Sequence, residues 1–206
     1  MKTIIIVTGY SGVGKSTFIR SIAEADPDTV TSYHIAQPFK EMMGVLWGVD
    51  VDDRNIRNNH RPNGGETVGE LMASAFIKFR EWDKNILMPG LQRRVSRFSA
   101  NDEQDFLLID GVRTVAEVQQ LMKLCTDLHI SLQVVEIARI DVIEEKFSHI
   151  APDIYKTLRY LDTLQGFMVP EVLNFFDTEE DWARFVKDYW LAERLQPTLK
   201  NIQLTY

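Results

Sequence analysis

Along the 206-residue chain the spacing of apolar positions changes several times, and each change marks an element. Ile4, Ile5, Ile6 and Val7 form an unbroken apolar run, the pattern of a strand covered on both faces. Phe18, Ile19 and Ile22 then recur at the interval of one helix face. These runs predict a strand over 3–8 and a helix over 15–25. The turn-forming ADPDT follows, then a second short strand over 30–35 and a helix opened by Pro38 in PFKEMMGVLWG. Next comes DVDDRNIRNNHRPNGG, polar and broken by Pro62 and the Gly64–Gly65 pair. It reads as an exposed loop, of a length usually reserved for function or disorder.

Helical periodicity resumes at Glu66 through Val68, Leu71, Met72, Ala75 and Phe79, with Pro89–Gly90 dividing the stretch into two helices. FLLID at 106–110 is a continuous apolar strand ending in a carboxylate. A helix from Thr114, a fourth strand in SLQVVEIAR and a short fifth strand in EVLNFF complete the alternation. Thr178 and Asp181 form a capping pair ahead of a last helix, EDWARFVKDYW. Its aromatics Trp182, Phe185, Tyr189 and Trp190 recur at helical intervals and read as core in preference to a base-stacking platform. Strands alternating with helices imply an α/β fold: a parallel five-stranded sheet between helical layers, with right-handed crossovers and ligands at the strands' carboxyl ends.

Composition narrows the class. With 45% hydrophobic and 26% charged residues, the chain has the makeup of a single globular domain. No apolar run has the length of a membrane span, and the amino terminus lacks the basic stretch of a signal peptide, so the expectation is a cytoplasmic protein with no membrane partner. The net charge of -7 disfavours broad nucleic-acid binding. Cys125 lies in VAEVQQLMKLC and reads as helix core, and the four histidines show no metal-ligand spacing.

The chemistry concentrates where strands end. GYSGVGKST at 9–17 fits Gly-x-x-x-x-Gly-Lys-Ser directly after the first strand. Such a P-loop turns backbone N–H groups around an anion and sets a helix's positive end behind it. On this reading Gly9, Ser11, Gly12, Val13, Gly14, Lys15, Ser16 and Thr17 bind ATP, Lys15 reaching the terminal phosphates and Ser16 the Mg²⁺. Thr17 reads as a helix-start residue in preference to a ligand of its own. Asp110, ending its apolar strand, is the expected acidic partner for the metal. Arg113 follows, its guanidinium suited to a bidentate grip on an acceptor phosphate. Thr114 and Glu117 form a capping box, which accounts for Glu117 without a ligand.

HIAQPFKEMMGVLWGVD and FLLIDGVRTVAEVQQL, together with the P-loop, resemble the corresponding segments of phage-type deoxynucleoside monophosphate kinases. In that family an Ala-Asp-Pro-Leu-Lys run opens the acceptor-site helix. The resemblance covers most of the first 125 residues. It implies a nucleoside monophosphate kinase-like fold in one domain spanning 1–206, with a helical acceptor-binding insertion at about 36–100. It further implies that Lys15 and Ser16 serve ATP and Mg²⁺, that Asp110 serves the metal, and that Arg113, Lys40 and the position of Gln37 serve the nucleotide. Gln37 stands where the family has aspartate, and Gly111 is an additional residue before Val112–Arg113. A lid is expected over about 140–165, flanked by Arg139 and Arg159. Arg54, Arg57 and Arg61 in one group, and Arg93, Arg94 and Arg97 in another, are further candidates to close over phosphates.

The activity expected is therefore phosphoryl transfer from ATP to a (deoxy)nucleoside monophosphate. A related alternative has a hydroxymethylated pyrimidine in DNA as acceptor. An alternative of another class is a regulatory NTP-binding switch. The sequence leaves base, sugar and oligomeric state open, a homodimer among the assemblies it allows.

Overall fold

The computed structural model describes residues 2–10, 12–139, 171–174 and 176–193. The chain divides into two compact units, Met1–Tyr33 with Val95–Tyr206, and His34–Arg94.

The first unit is built on strands β1 (Thr3–Thr8), β2 (Val30–His34), β3 (Phe106–Asp110), β4 (Ser131–Ala138) and β5 (Glu171–Leu173), in the sheet order β2-β3-β1-β4-β5. β1 lies at the centre, buried along its whole length, and pairs in parallel with β3 on one side and β4 on the other. β4 pairs in parallel with β5. Every residue of β3 is buried as well. A strand covered on both faces can be apolar at consecutive positions, which is why the IIIV and LLI runs carry no alternation.

Helices α1 (Lys15–Ala25) and, at the end of the described chain, α7 (Glu179–Glu193) cover one face. Phe18, Ile19 and Ile22 of α1 and Trp182, Val186 and Trp190 of α7 join Ile5, Val7, Leu108, Val135 and Ile137 of the sheet in one buried cluster. The Trp182 ring stacks on Phe18 with centroids 6.1 Å apart, and Trp190 meets Phe106 edge-on at 5.3 Å. The aromatic stripe of α7 is thus core on its inner side, while Phe185 is 41% exposed. α6 (Val115–Asp127) buries Val118, Leu121 and Cys125.

The His34–Arg94 unit holds α2 (Gln37–Trp47), α3 (Arg54–Asn59) and α4 (Val68–Trp82); α5 (Met88–Ala100) begins in it. Phe39 of α2 meets Phe76 and Phe79 of α4 edge-on at 5.2 and 5.5 Å. Two readings of the sequence are corrected here. The polar run at 51–65 is not loop throughout: Asp53 accepts hydrogen bonds from the N–H groups of Asn55 and Ile56 and so starts α3. Pro89–Gly90 does not separate two helices but lies in the first turn of α5, where proline is tolerated, and α4 ends earlier, at the extended Asp83. The fifth strand is three residues long, and its expected continuation is not strand at Asn174. Ser11, Arg159, His149 and the segment expected to form a lid lie outside the described residues.

Candidate functional site

The loop between β1 and α1 takes its shape from glycine. Gly9, Gly12 and Gly14 have φ of 128°, 90° and 99°, a region that side chains with a Cβ rarely enter. At Gly9 a Cβ would run into the carbonyl oxygen of Ile137 in β4, and at Gly14 it would lie 2.7 Å from Trp182 Nε1 and 2.8 Å from Asn174 Nδ2. The sequence pattern located these glycines; the packing against β4 and α7 supplies a second reason for Gly9 and Gly14.

α1 starts without a side-chain cap and with no acidic residue in its first turn. By contrast α3, α4 and α6 are capped by Asp53, Thr67 and Thr114, the last two as full capping boxes. An uncapped first turn leaves backbone N–H groups and the positive end of the helix to an anion. Lys15, its first residue, donates from Nζ to the carbonyls of Gly9 at 3.0 Å and Tyr10 at 2.6 Å, so its charge is held at the loop. Ser16 is exposed in the same turn. Thr17, in the first turn of α1, is buried and its hydroxyl donates to Glu179 Oε1 of α7 at 3.0 Å. Val13 is wholly buried in the core.

Asp110 ends β3 in register with Val7 of β1, one strand from the loop's entry. It is 7% exposed, and its Oδ1 accepts from Gly111 N at 2.6 Å. A carboxylate offers about four acceptor sites and that bond occupies one, so a buried anion at the strand's carboxyl end suits a hydrated divalent cation. Together with the exposed Ser16 hydroxyl, these donors are hard oxygens, the chemistry of Mg²⁺ and not of a softer metal. Arg113 is exposed three residues on. Glu117 caps α6, accepting from Thr114 N at 3.0 Å and from Arg113 N at 2.8 Å while its own N–H donates to Thr114 Oγ1.

Residues far along the chain also reach the loop, and the sequence reading did not find this role. Asn174, just past β5 and buried, donates from Nδ2 to Val13 O at 3.0 Å and accepts from Phe176 N at 3.1 Å. Trp182 Nε1 donates to Gly14 O at 3.1 Å. The one signal for Asn174 was a lone amide among the apolar residues of EVLNFF.

The His34–Arg94 unit carries its own polar cluster. Lys40 Nζ meets Asp52 Oδ1 at 2.7 Å, and Gln37 Nε2 donates to Glu41 Oε1 at 3.2 Å. Burial works against ionisation of Asp52, yet hydrogen bonds from Lys40 and Gln37 and the charges of Lys40 and His34 hold its carboxyl below the usual range. Gln37 and Lys40 are thus joined by Asp52, a residue the sequence reading left within an undivided polar run.

No family model matches the chain, and no curated protein matches it. Among solved structures it is similar to a component of the PezAT toxin–antitoxin system of Streptococcus pneumoniae, at 16% identity and a TM-score of 0.49 over 95% of this chain and 88% of that one. It is similar to a sugar kinase from Janibacter, at 11% identity and a TM-score of 0.45 over 97% and 98%. A de novo designed protein of P-loop NTPase fold is similar at 10% identity and a TM-score of 0.37 over 93% and 92%. Likenesses at this level assign no activity. The fold itself is an α/β P-loop arrangement: a parallel five-stranded sheet whose central strand feeds a glycine loop and a helix.

Proposed function

We propose that the protein is an ATP- and Mg²⁺-dependent kinase whose acceptor is a (deoxy)nucleoside monophosphate. The observation that carries the reading is one juxtaposition: three positive-φ glycines and Lys15 open an uncapped helix beside a buried carboxylate on the neighbouring strand. A triphosphate takes the uncapped N–H groups, and Lys15 exchanges its carbonyl partners for phosphate oxygens. The Ser16 hydroxyl and Asp110 would hold Mg²⁺, which when bound would neutralise phosphate charge. Phosphoryl transfer asks little covalent chemistry of a protein, so positioning and charge neutralisation by these residues constitute the catalysis.

For the acceptor, support comes from residue type. Arg113 carries an exposed guanidinium at the end of the same strand-to-helix connection as Asp110 and is assigned to the acceptor phosphate. Gln37 and Lys40, tied through Asp52, are assigned to the rest of the nucleotide, and the His34–Arg94 unit is assigned the role of acceptor-binding insertion.

The test is ADP release with ATP, Mg²⁺ and a panel of acceptors: ribo- and deoxynucleoside monophosphates, free sugars and a hydroxymethylated oligonucleotide. Release stimulated by one or more monophosphates, with the diphosphate as product, is expected. Stimulation by the oligonucleotide or a sugar alone would remove the monophosphate assignment and leave kinase chemistry standing. Hydrolysis indifferent to every acceptor would point to a nucleotide switch.

A further inference from the structure

Two residues about 160 positions downstream of the glycine loop reach its backbone, and each takes a carbonyl on a peptide unit that would face phosphate. Asn174 Nδ2 donates to Val13 O at 3.0 Å and Trp182 Nε1 to Gly14 O at 3.1 Å. In a trans peptide the C=O and the following N–H lie in one plane and point opposite ways. Fixing the Val13 carbonyl therefore fixes the N–H of Gly14, and fixing the Gly14 carbonyl fixes the N–H of Lys15.

We infer that Asn174 and Trp182 are positioning residues for nucleotide, acting through those two peptide planes to hold the N–H groups of Gly14 and Lys15 in the orientation that phosphate requires. The inference rests on the reading of this loop as a triphosphate site and deepens it.

Both donors are themselves immobilised. Asn174 is tied at three atoms, its N–H donating to Ala138 O at 2.8 Å, its Oδ1 accepting from Phe176 N and its Nδ2 donating to Val13. The Trp182 ring stacks with Phe18, centroids 6.1 Å apart, and with Phe185 at 5.8 Å. Gly14 leaves them room, since a Cβ there would displace both. The Gly14 carbonyl already accepts from Phe18 N at 2.9 Å in the first turn of α1, so folding does not need the indole to satisfy it. A donor added to a satisfied carbonyl constrains direction, and fixed direction is what preorganised anion binding uses.

The experiment compares three variants with the wild-type chain by calorimetric binding of Mg-ATP and ADP without acceptor, each below its melting temperature. Trp182→Phe keeps an aromatic ring at the stack and removes the indole N–H, along with part of a buried ring whose packing loss the third variant controls for. Asn174→Asp keeps the shape and the acceptor for Phe176 and turns an oxygen toward the Val13 carbonyl. Val186→Ala opens a cavity in the same helix and the same core, at a side chain with no hydrogen-bond donor to offer either carbonyl. Expected is a loss of nucleotide affinity of about 3- to 10-fold in Trp182→Phe and about tenfold or more in Asn174→Asp. Val186→Ala is expected to lower the melting temperature while leaving affinity within about twofold of wild type.

Trp182→Phe carries the test if Asn174→Asp proves too unstable to assay. Affinities of the two loop-facing variants within about twofold of wild type, or an equal loss in Val186→Ala, would overturn the inference. A wild-type chain that binds neither nucleotide would overturn it together with the triphosphate reading. A chain that binds both but phosphorylates no monophosphate would leave it intact and remove only the acceptor assignment.

Discussion

Replacing Gly9 or Gly14 by alanine tests the fold at two points of the same loop, and the structure ranks the two costs. Both residues have positive φ, so each alanine carries the penalty of that conformation, about 1–2 kcal/mol for a residue with a Cβ. What else they meet differs. The Gly14 Cβ faces the ends of two side chains, Trp182 Nε1 and Asn174 Nδ2, which give way at the expense of two hydrogen bonds worth about 1 kcal/mol each. The total for Gly14→Ala is therefore about 3–4 kcal/mol.

The Gly9 Cβ meets backbone instead, colliding with Ile137 O and lying 3.2 Å from Ile137 C. Ile137 directly follows Glu136, the partner of Thr8 in the β1–β4 register, and cannot withdraw without pulling that ladder apart. Gly9→Ala should then exceed about 4 kcal/mol, the range that marks a specific steric conflict. For a chain of this length each kcal/mol moves Tm by about 2–4 °C, so the expected drop is about 8–16 °C or more for Gly9→Ala. Thermal melts followed by far-ultraviolet circular dichroism and by tryptophan emission, with urea titrations for ΔG, supply the numbers. A Gly9→Ala melting point within about 3 °C of wild type, or a smaller loss than Gly14→Ala, would refute the claim that the loop is set hard against β4.

Lys15→Ala should lower phosphoryl transfer by at least about 10²-fold with little change in Tm, read by coupled ADP release and a melt of the same sample. Arg113→Lys should raise the acceptor KM by about tenfold while the ATP KM stays within about twofold, and equal loss on both would remove Arg113 from the acceptor. Burial pushes the Cys125 thiol up from 9.0 to about 11. The unfolded chain thus gives up this proton at lower pH than the folded one, so the stability tied to it is complete below pH 9.0 and is lost as pH rises through about 11. Melting points measured across that window should fall, and Cys125→Ala should fall less steeply.

The sequence made the central strands and the P-loop readable for a physical reason. Burial on both faces forces continuous apolar runs, and a backbone cradle forces glycines at fixed offsets, so each leaves a mark in residue type. The break between α4 and α5 was misplaced because proline and glycine signal both the end of one helix and the first turn of the next; Pro89 serves the second role. α3 escaped because six residues span too few turns to show a period, and its only local cause is the side chain of Asp53.

The loop's support from Asn174 and Trp182 lies beyond pattern reading altogether. A hydrogen bond to a main-chain carbonyl places no demand on the type of the accepting residue, so Val13 bears no trace of its partner, and the room that both donors need at Gly14 is masked because the loop pattern already calls for glycine there. The period of Trp182 within α7 correctly announced a core ring, yet it cannot report that the indole N–H at that ring's edge meets the loop. The same ring thus has two uses with separable chemistry. Its apolar faces stabilise the α1–α7 layer, and its single donor constrains one peptide plane. A phenylalanine keeps part of the first and abolishes the second, so the loop's conformation can be altered with most of the core left in place.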